Sequence, residues 1–413
     1  MKFELLKNKN YVLLLLGQMI SGIGSKMQSF ALALYVLKIT GSASRFASIL
    51  ALSFVPELII GPVSGVITDW VDRKNLIILL DISSSLLTGI FAALYLMNNN
   101  LNVFSISVLV ILLSVISTVF QPAATAIMPG IVNKEKLPDA NSLWAAASSG
   151  VLFSAPVIAG ALLQYFSLFF ILLINSISFL LSGLSEVFID VPKNNNMPKK
   201  ISIKIFCFDF TEGIKFIINN KLILSICILL MSVNFLISPI ITIGQPYILK
   251  NIFNASDIQY GIFQSGLSVP MFIAPILFNS SSKKHDLKSI IIKSLGISSI
   301  IVLCLGFVSN SLFANFTKGS IPIILLFILF FTMTVFDLIA NLAICTVEQE
   351  SVPSNMLGRI ESTMMSLAFA LYPLGQIIFG LLFDSFPAWI CILTGGLLNI
   401  TSIFICRKLI KNF

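Results

Sequence analysis

Charge is scarce in this chain. Only 11% of its 413 residues are Asp, Glu, Lys or Arg, against about 25% in an ordinary soluble domain. A soluble protein of this length would need a polar skin around one or two cores, and too few polar residues are present to make it. Histidine is almost missing: the single His285 excludes His-based metal, haem and di-iron sites. The six cysteines, Cys207, Cys227, Cys304, Cys345, Cys391 and Cys406, are scattered without a CxxC pair. That spacing argues against a structural zinc site or a disulfide framework. No GxxxxGK-Ser/Thr run occurs, so there is no phosphate-cradling ATPase loop. Any uphill work must draw on an ion gradient or a partner. Short alternating strand patterns, which a membrane β-barrel would need, are replaced by long apolar runs.

What is present is apolar. Hydrophobic residues make up 57% of the chain, and the mean hydropathy is +0.98. Twelve helical spans of about 21 residues would occupy roughly 250 residues, or about 60% of the length, which matches. The expected class is an all-α polytopic membrane protein. Twelve apolar segments are read, at about 11–37, 46–65, 76–97, 103–121, 141–163, 167–189, 222–249, 258–278, 290–309, 321–345, 361–383 and 387–405. The first follows a short basic lead, as in a signal peptide, but it is too long for one and is read as a retained helix.

An even number of spans puts both termini on one side. The loops on that side hold twenty-one Lys and Arg residues, and the opposite loops hold only Lys38, Arg45, Lys250 and Lys318. The positive-inside rule makes both termini cytoplasmic. It also accounts for the net charge of +8 without nucleic acid: the basic excess anchors loops beside anionic lipid.

The longest polar stretch separates spans 6 and 7 and divides the chain in three: 1–189, a linker at 190–221, and 222–413. Pro192, Asn194, Asn195, Asn196 and Pro198 give the linker its composition. Phe206, Phe210, Ile214, Ile217 and Ile218, with Asp209, Glu212 and Lys215 between them, predict an amphipathic helix at the membrane surface. The halves echo each other weakly. Ser53-Phe54-Val55-Pro56 in span 2 matches Leu267-Ser268-Val269-Pro270 in span 8. Paired six-helix halves with a midplane site are a transporter architecture.

After span 2 comes Gly65, then Asp69, Asp72, Arg73 and Lys74. On this spacing the chain resembles the major facilitator superfamily, whose loop between spans 2 and 3 reads G-x3-D-[RK]-x-G-[RK]-[RK]. Gly65, Asp69, Arg73 and Lys74 match this gating motif, whereas Trp70 and Asp72 depart from it. The resemblance covers the whole chain and is closest to the drug-efflux branch, which includes macrolide and some siderophore exporters. Supporting stretches are Phe120-Gln121-Pro122-Ala123, Tyr260-Gly261 and Val352-Pro353 followed by Gly358-Arg359. The span 5 antiporter motif is degraded to Ala155-Pro156-Val157-Ile158-Ala159-Gly160, and the basic residue of span 4 is absent. The resemblance implies alternating access by rocking halves, with spans 1, 4, 7 and 10 lining a cavity.

Ionisable groups inside a membrane cost about 2.5–3.5 kcal/mol each, so each asks for a reason. Glu57 shares one face of span 2 with Ser53, Gly61 and Ser64. Asp337 shares a polar stripe with Thr334, Asn341, Cys345 and Glu348. Lys26 edges a stripe of Gln18, Gly22, Ser25 and Ser29. Asp337 reads either as a proton or cation carrier, or as a fixed partner of Lys26 or a satisfied packing group. Glu57 reads as a cavity acid or as a bridge between halves; with the following Pro and Arg-Lys it also resembles the variant motif of clostridial-type tetracycline exporters. Lys26 either pairs an acid or meets an anionic substrate. Gln18, Asn234 and Asn341 are uncharged candidates along the path. Asp81, Glu186 and Glu350 sit near cytoplasmic helix ends and read as structural.

The expected protein is a non-enzymatic secondary transporter in a bacterial cytoplasmic membrane. It would export an amphipathic compound such as an antibiotic by proton antiport, as a monomer, with no cofactor, no metal and no nucleic acid. A siderophore or other metabolite exporter of the same fold is the first alternative. A non-transporting membrane scaffold or sensor, acting through residues 190–221, is the second.

Overall fold

The computed structural model describes residues 5–190, 203–282, 286–310, 321–353 and 356–411. Among these residues the chain is helical and has no strand. The helices are α1 (Lys9–Thr40), α2 (Ala43–Trp70), α3 (Arg73–Asn98), α4 (Val103–Ile131), α5 (Leu137–Tyr165) and α6 (Leu168–Val187). They continue with α7 (Ile203–Asn219), α8 (Lys221–Ile252), α9 (Asp257–Ser282), α10 (Leu287–Val308) and α11 (Ile321–Ser351). The last two are α12 (Leu357–Ala370 continued by Tyr372–Ser385) and α13 (Ala388–Lys411).

Eleven of these segments are long and apolar enough to cross a membrane. Helix α1 is 32 residues long but falls outside that set. The reason is its polar stripe of Gln18, Ser21, Ser25, Lys26, Gln28 and Ser29, which dilutes an otherwise apolar run. Large apolar side chains such as Leu79, Leu86 and Ile90 of α3 and Phe272 and Ile276 of α9 point outward. In water such a surface would aggregate; in a bilayer it is the solvent-facing surface. The chain is an all-α polytopic membrane protein.

The helices form two compact units. The first comprises Met1–Ile39, Leu52–Ile201 and Ser256–Ser265. Its α3 and α6 lie along each other. Ser85 Oγ donates to the Ser176 carbonyl and Ser176 Oγ to the Ser85 carbonyl, both at 2.8 Å. Small residues permit this approach: a Cβ on Gly89 would sit 3.1 Å from Ser176 Oγ. On α1, Gly17 plays the same part, where a Cβ would sit 3.0 Å from the hydroxyls of Ser182 and Ser185. Near the start of α1 the buried Tyr11 hydroxyl donates to the Ala140 carbonyl of α5 at 2.8 Å.

The second unit comprises Thr40–Ala51, Ser202–Ala255 and Gly266–Phe413. Its core joins Ile223, Ile226 and Leu229 of α8 to Ile290, Ile291 and Leu295 of α10 and Ile339, Ala343 and Ile344 of α11. Buried polar groups are paired across helices. Asn399 Nδ2 donates to Ser299 Oγ at 2.8 Å, and Ser232 Oγ donates to Asn399 Oδ1 at 2.9 Å. Helix α8 widens into π turns at Val233–Ile237, Ile240–Gly244 and Ile248–Ile252. Pro239 and Pro246 lie among these turns; each lacks an N–H, which breaks the regular i to i−4 ladder there.

The amphipathic segment expected in the linker is helical as α7. It packs on α12, where a Cβ on Gly213 would collide with the Thr363 side chain. Residues 191–202 of the expected linker lie outside the described residues.

Candidate functional site: a polar cavity in the first unit

Six helices of the first unit enclose a cavity of about 840 Å³. Helix α1 contributes Gln18, Ser25, Lys26 and Ser29; α2 contributes Ser53, Glu57 and Gly61; α3 contributes Asp81 and Ser84. Leu113 and Gln121 of α4, Trp144 and Val151 of α5 and Asn175 of α6 complete the wall. Lys26 and Glu57, read from sequence on separate helices, line the same cavity, with Gln18. Both charged side chains are exposed rather than packed away. A cavity of this size with apolar walls and a few convergent polar groups suits a small amphipathic molecule.

The other candidates lie in the second unit. Asp337 is half-buried on α11, with the Ser298 hydroxyl of α10 against its carboxyl group. Asn341, one turn on, is exposed. Asn234 is occupied within its own helix: its Nδ2 donates to the Leu230 carbonyl at 3.0 Å, and its Oδ1 accepts from Ser238 Oγ at 3.4 Å.

In the loop after α2, Arg73 Nε donates to the Thr68 carbonyl at 3.4 Å and its NH1 to the Ala126 carbonyl at 3.1 Å. One guanidinium therefore ties the end of α2, where the Thr68 carbonyl lies in the last turn, to the C-terminal part of α4. Asp72, where the family pattern has Gly, is the N-cap of α3; its Oδ1 accepts from the Lys74 amide at 3.0 Å and the Asn75 amide at 3.2 Å. Gly and Asp are both favoured at that position, so the departure keeps the local structure. Gly65 and Asp69 lie on the last turns of α2; of their side chains only the position in sequence is described.

The degraded span 5 motif also keeps a structural part. A Cβ on Gly160 would collide with the Asp257 carbonyl of α9, and one on Gly261 would sit 2.5 Å from the Pro156 carbonyl. Pro156-x3-Gly160 and Gly261 thus form a backbone-to-backbone contact that only Gly allows.

Two acids read as structural are deeply buried. Asp81 and Glu186 are 2% and 1% exposed. The packing of α3 along α6 buries both. Asp384, not singled out in the sequence, accepts bonds from Ser42 Oγ at 2.7 Å and from the amides of Ala43 and Ser44 at 2.6 and 3.0 Å. No local signal marks it, because its partners are more than 300 residues away.

A polytopic helical protein with such a cavity and a charged loop after its second helix belongs to the class of membrane transporters. The description Major Facilitator Superfamily matches residues 14–379, and the chain belongs to that family. It is a transporter rather than an enzyme. Among relatives, macrolide efflux protein A of Streptococcus pyogenes is 25% identical over 289 residues, covering 68% of this chain and 70% of that protein. An uncharacterized MFS-type transporter of Bacillus subtilis, YvqJ, is 21% identical, covering 94% and 90%. Among solved structures, a bacterial homologue of the iron transporter ferroportin in an inward-facing state aligns with a TM-score of 0.71 at 18% identity, over 96% of this chain and 98% of that one. A mutant of the nucleoside transporter NupG aligns at 0.77 and 11% identity, over 97% and 99%. The structural likenesses concern the fold.

Proposed function

We propose that this transporter exports an amphipathic small molecule of the antibiotic type across a bacterial cytoplasmic membrane, by alternating access and proton antiport. The observation that carries this reading is the cavity holding Lys26, Glu57 and Gln18 between apolar walls. The similarity to macrolide efflux protein A supports the direction and the substrate class. In this reading Lys26, Glu57 and Gln18 contact substrate on the first unit, and Asp337, Asn234 and Asn341 serve the substrate and proton path on the second. Gly65, Asp69, Arg73 and Lys74 gate the cytoplasmic side. Both termini are cytoplasmic, as the lysine and arginine distribution supports, and the protein works as a monomer without a cofactor, driven by the proton gradient.

The test is efflux of a macrolide, a tetracycline and a fluorescent cation from drug-sensitive cells expressing the protein, with and without a protonophore. Export abolished by the protonophore is the expected result. Export that persists without the gradient overturns proton antiport. No export of any of the three, by protein shown to be in the membrane, overturns the antibiotic assignment and favours a metabolite such as a siderophore.

A further inference from the structure

Two carboxyl groups lie buried in the first unit with no neutralising partner among the described residues. Asp81 lies in the third turn of α3, and Glu186 is the penultimate residue of α6. They are 2% and 1% exposed and interact electrostatically with each other. Asp81 Oδ2 and Glu186 Oε2 have no hydrogen-bond partner. The Ser182 hydroxyl, 0% exposed, faces Asp81 and is itself without a partner of normal geometry. Beyond it, Gln18 Oε1 of α1 is likewise unpartnered, and Gln18 and Asp81 both line the cavity. Asp81 Oδ2, Glu186 Oε2 and Gln18 Oε1 are acceptors without a donor, and the Ser182 hydroxyl beside them can donate only once.

Among the described residues no cation answers them. Helix α4 carries no charged residue, and α6 carries none except Glu186. On α3 the charged neighbours are Arg73 and Lys74, about two turns before Asp81, and Arg73 is committed to the Thr68 and Ala126 carbonyls. On α1 they are Lys9 and Lys26, each about two turns from Gln18 and each exposed. Helix α2 brings Glu57 to the same cavity, a further negative charge. Two ionised carboxylates cannot share so dry a place without a counter-charge. The C-terminal end of the α6 dipole, where Glu186 sits, repels negative charge further. A proton supplies both the missing charge and the missing donor.

We infer that Asp81 and Glu186 form a proton-binding pair, with Asp81 as its port to the cavity and Glu186 as its inner store. Loading is a simple transfer. Cavity water carrying a proton gives it up to the Asp81 carboxylate, where an O–H bond forms and a water molecule is released. The proton then passes to Glu186 as that O–H bond breaks and one on Glu186 forms. Ser182 accepts from, or donates to, whichever carboxyl is next to it. The role of the pair as the coupling site rests on the reading of proton-driven export above; its existence as a proton site does not.

The experiment is infrared spectroscopy of the purified full-length protein, titrated from mildly acidic to alkaline pH in choline buffer and again in sodium buffer. The C=O stretch of protonated carboxyl groups is read in the wild type, in Asp81→Asn, in Glu186→Gln and in the double variant. A protonated-carboxyl band that persists at neutral pH in both buffers, is altered in each single variant and loses one carboxyl's intensity in the double variant is the expected result. A double variant indistinguishable from wild type overturns the pair. Loss of the band on replacing choline by sodium shows a metal-cation site and also overturns it. Carbodiimide labelling of the wild type, mapped by peptide mass, needs no variant to fold: an adduct on Asp81 or Glu186 at neutral pH is expected, and labelling of other carboxyls without either of these overturns the proposal. Export insensitive to a protonophore beside an intact band would fail the antiport reading alone. Protonophore-sensitive export without the band would fail the pair alone.

Discussion

Asp384 caps α2 from the far end of the chain: its Oδ1 accepts the Ala43 amide at 2.6 Å across 341 residues of sequence. Its Oδ2 takes the Ser42 hydroxyl and the Ser44 amide. A carboxylate at a helix start satisfies amides that have no helical acceptor and meets the positive end of the dipole. Asp384→Ala is expected to lower the unfolding midpoint of the purified protein by the equivalent of about 1 kcal/mol, with Asp384→Asn in between. Equal midpoints for wild type and Asp384→Ala would show that the cap contributes nothing.

Asp72 offers a local version of the same test. Asp72→Ala removes the acceptor used by the Lys74 and Asn75 amides and is expected to cost about 1 kcal/mol. Asp72→Gly, the residue of the family pattern, is expected to cost only a few tenths of that. Chemical denaturation of the two variants side by side reads the difference, and a larger loss in Asp72→Gly would refute the capping role.

Gly160 and Gly150 lie on one helix in opposite circumstances. A Cβ at Gly160 meets the Asp257 backbone, which cannot turn aside, whereas one at Gly150 meets nothing within 4 Å. Gly160→Ala is expected to destabilise by about 1–3 kcal/mol. Gly150→Ala is expected to be neutral or stabilising, since Ala is the better helix former. Thermal inactivation of the two in detergent would expose an error if Gly160→Ala survived as well as Gly150→Ala.

Inside the first unit, Asn175 Nδ2 donates to Gln28 Oε1 at 2.6 Å, with both residues buried. Interhelical bonds of this kind in membranes average about 0.6 kcal/mol. A double-mutant cycle with Gln28→Leu and Asn175→Leu should return a coupling of that order. Additive single effects would mean that the pair is incidental.

Lys26 and Glu57 separate the substrate classes. If the cargo is a cation, Glu57→Gln is expected to reduce export at least about tenfold, equivalent to about 1.4 kcal/mol, while Lys26→Gln leaves it near wild type. An anionic cargo reverses the two. Efflux at wild-type rates in both variants would remove this cavity from the path.

The membrane class, the helical fold and the family were legible in the residues themselves. Hydropathy adds up along a segment without regard to what packs against it, so 57% apolar residues in long runs already require spans. The spacing of Gly65, Asp69, Arg73 and Lys74 is likewise local. Burial is not local. Asp81 and Glu186 look like helix-end acids in one dimension, and only the packing of α3 along α6 buries them. The amphipathic pattern of α7 indicated an apolar face but not that α12 would receive it. That Lys26, Glu57 and Gln18 share a cavity, and that Asp384 meets Ala43, depends on which helix faces come together. Each face is set by the sum of many weak contacts between distant segments, which no single stretch of sequence contains.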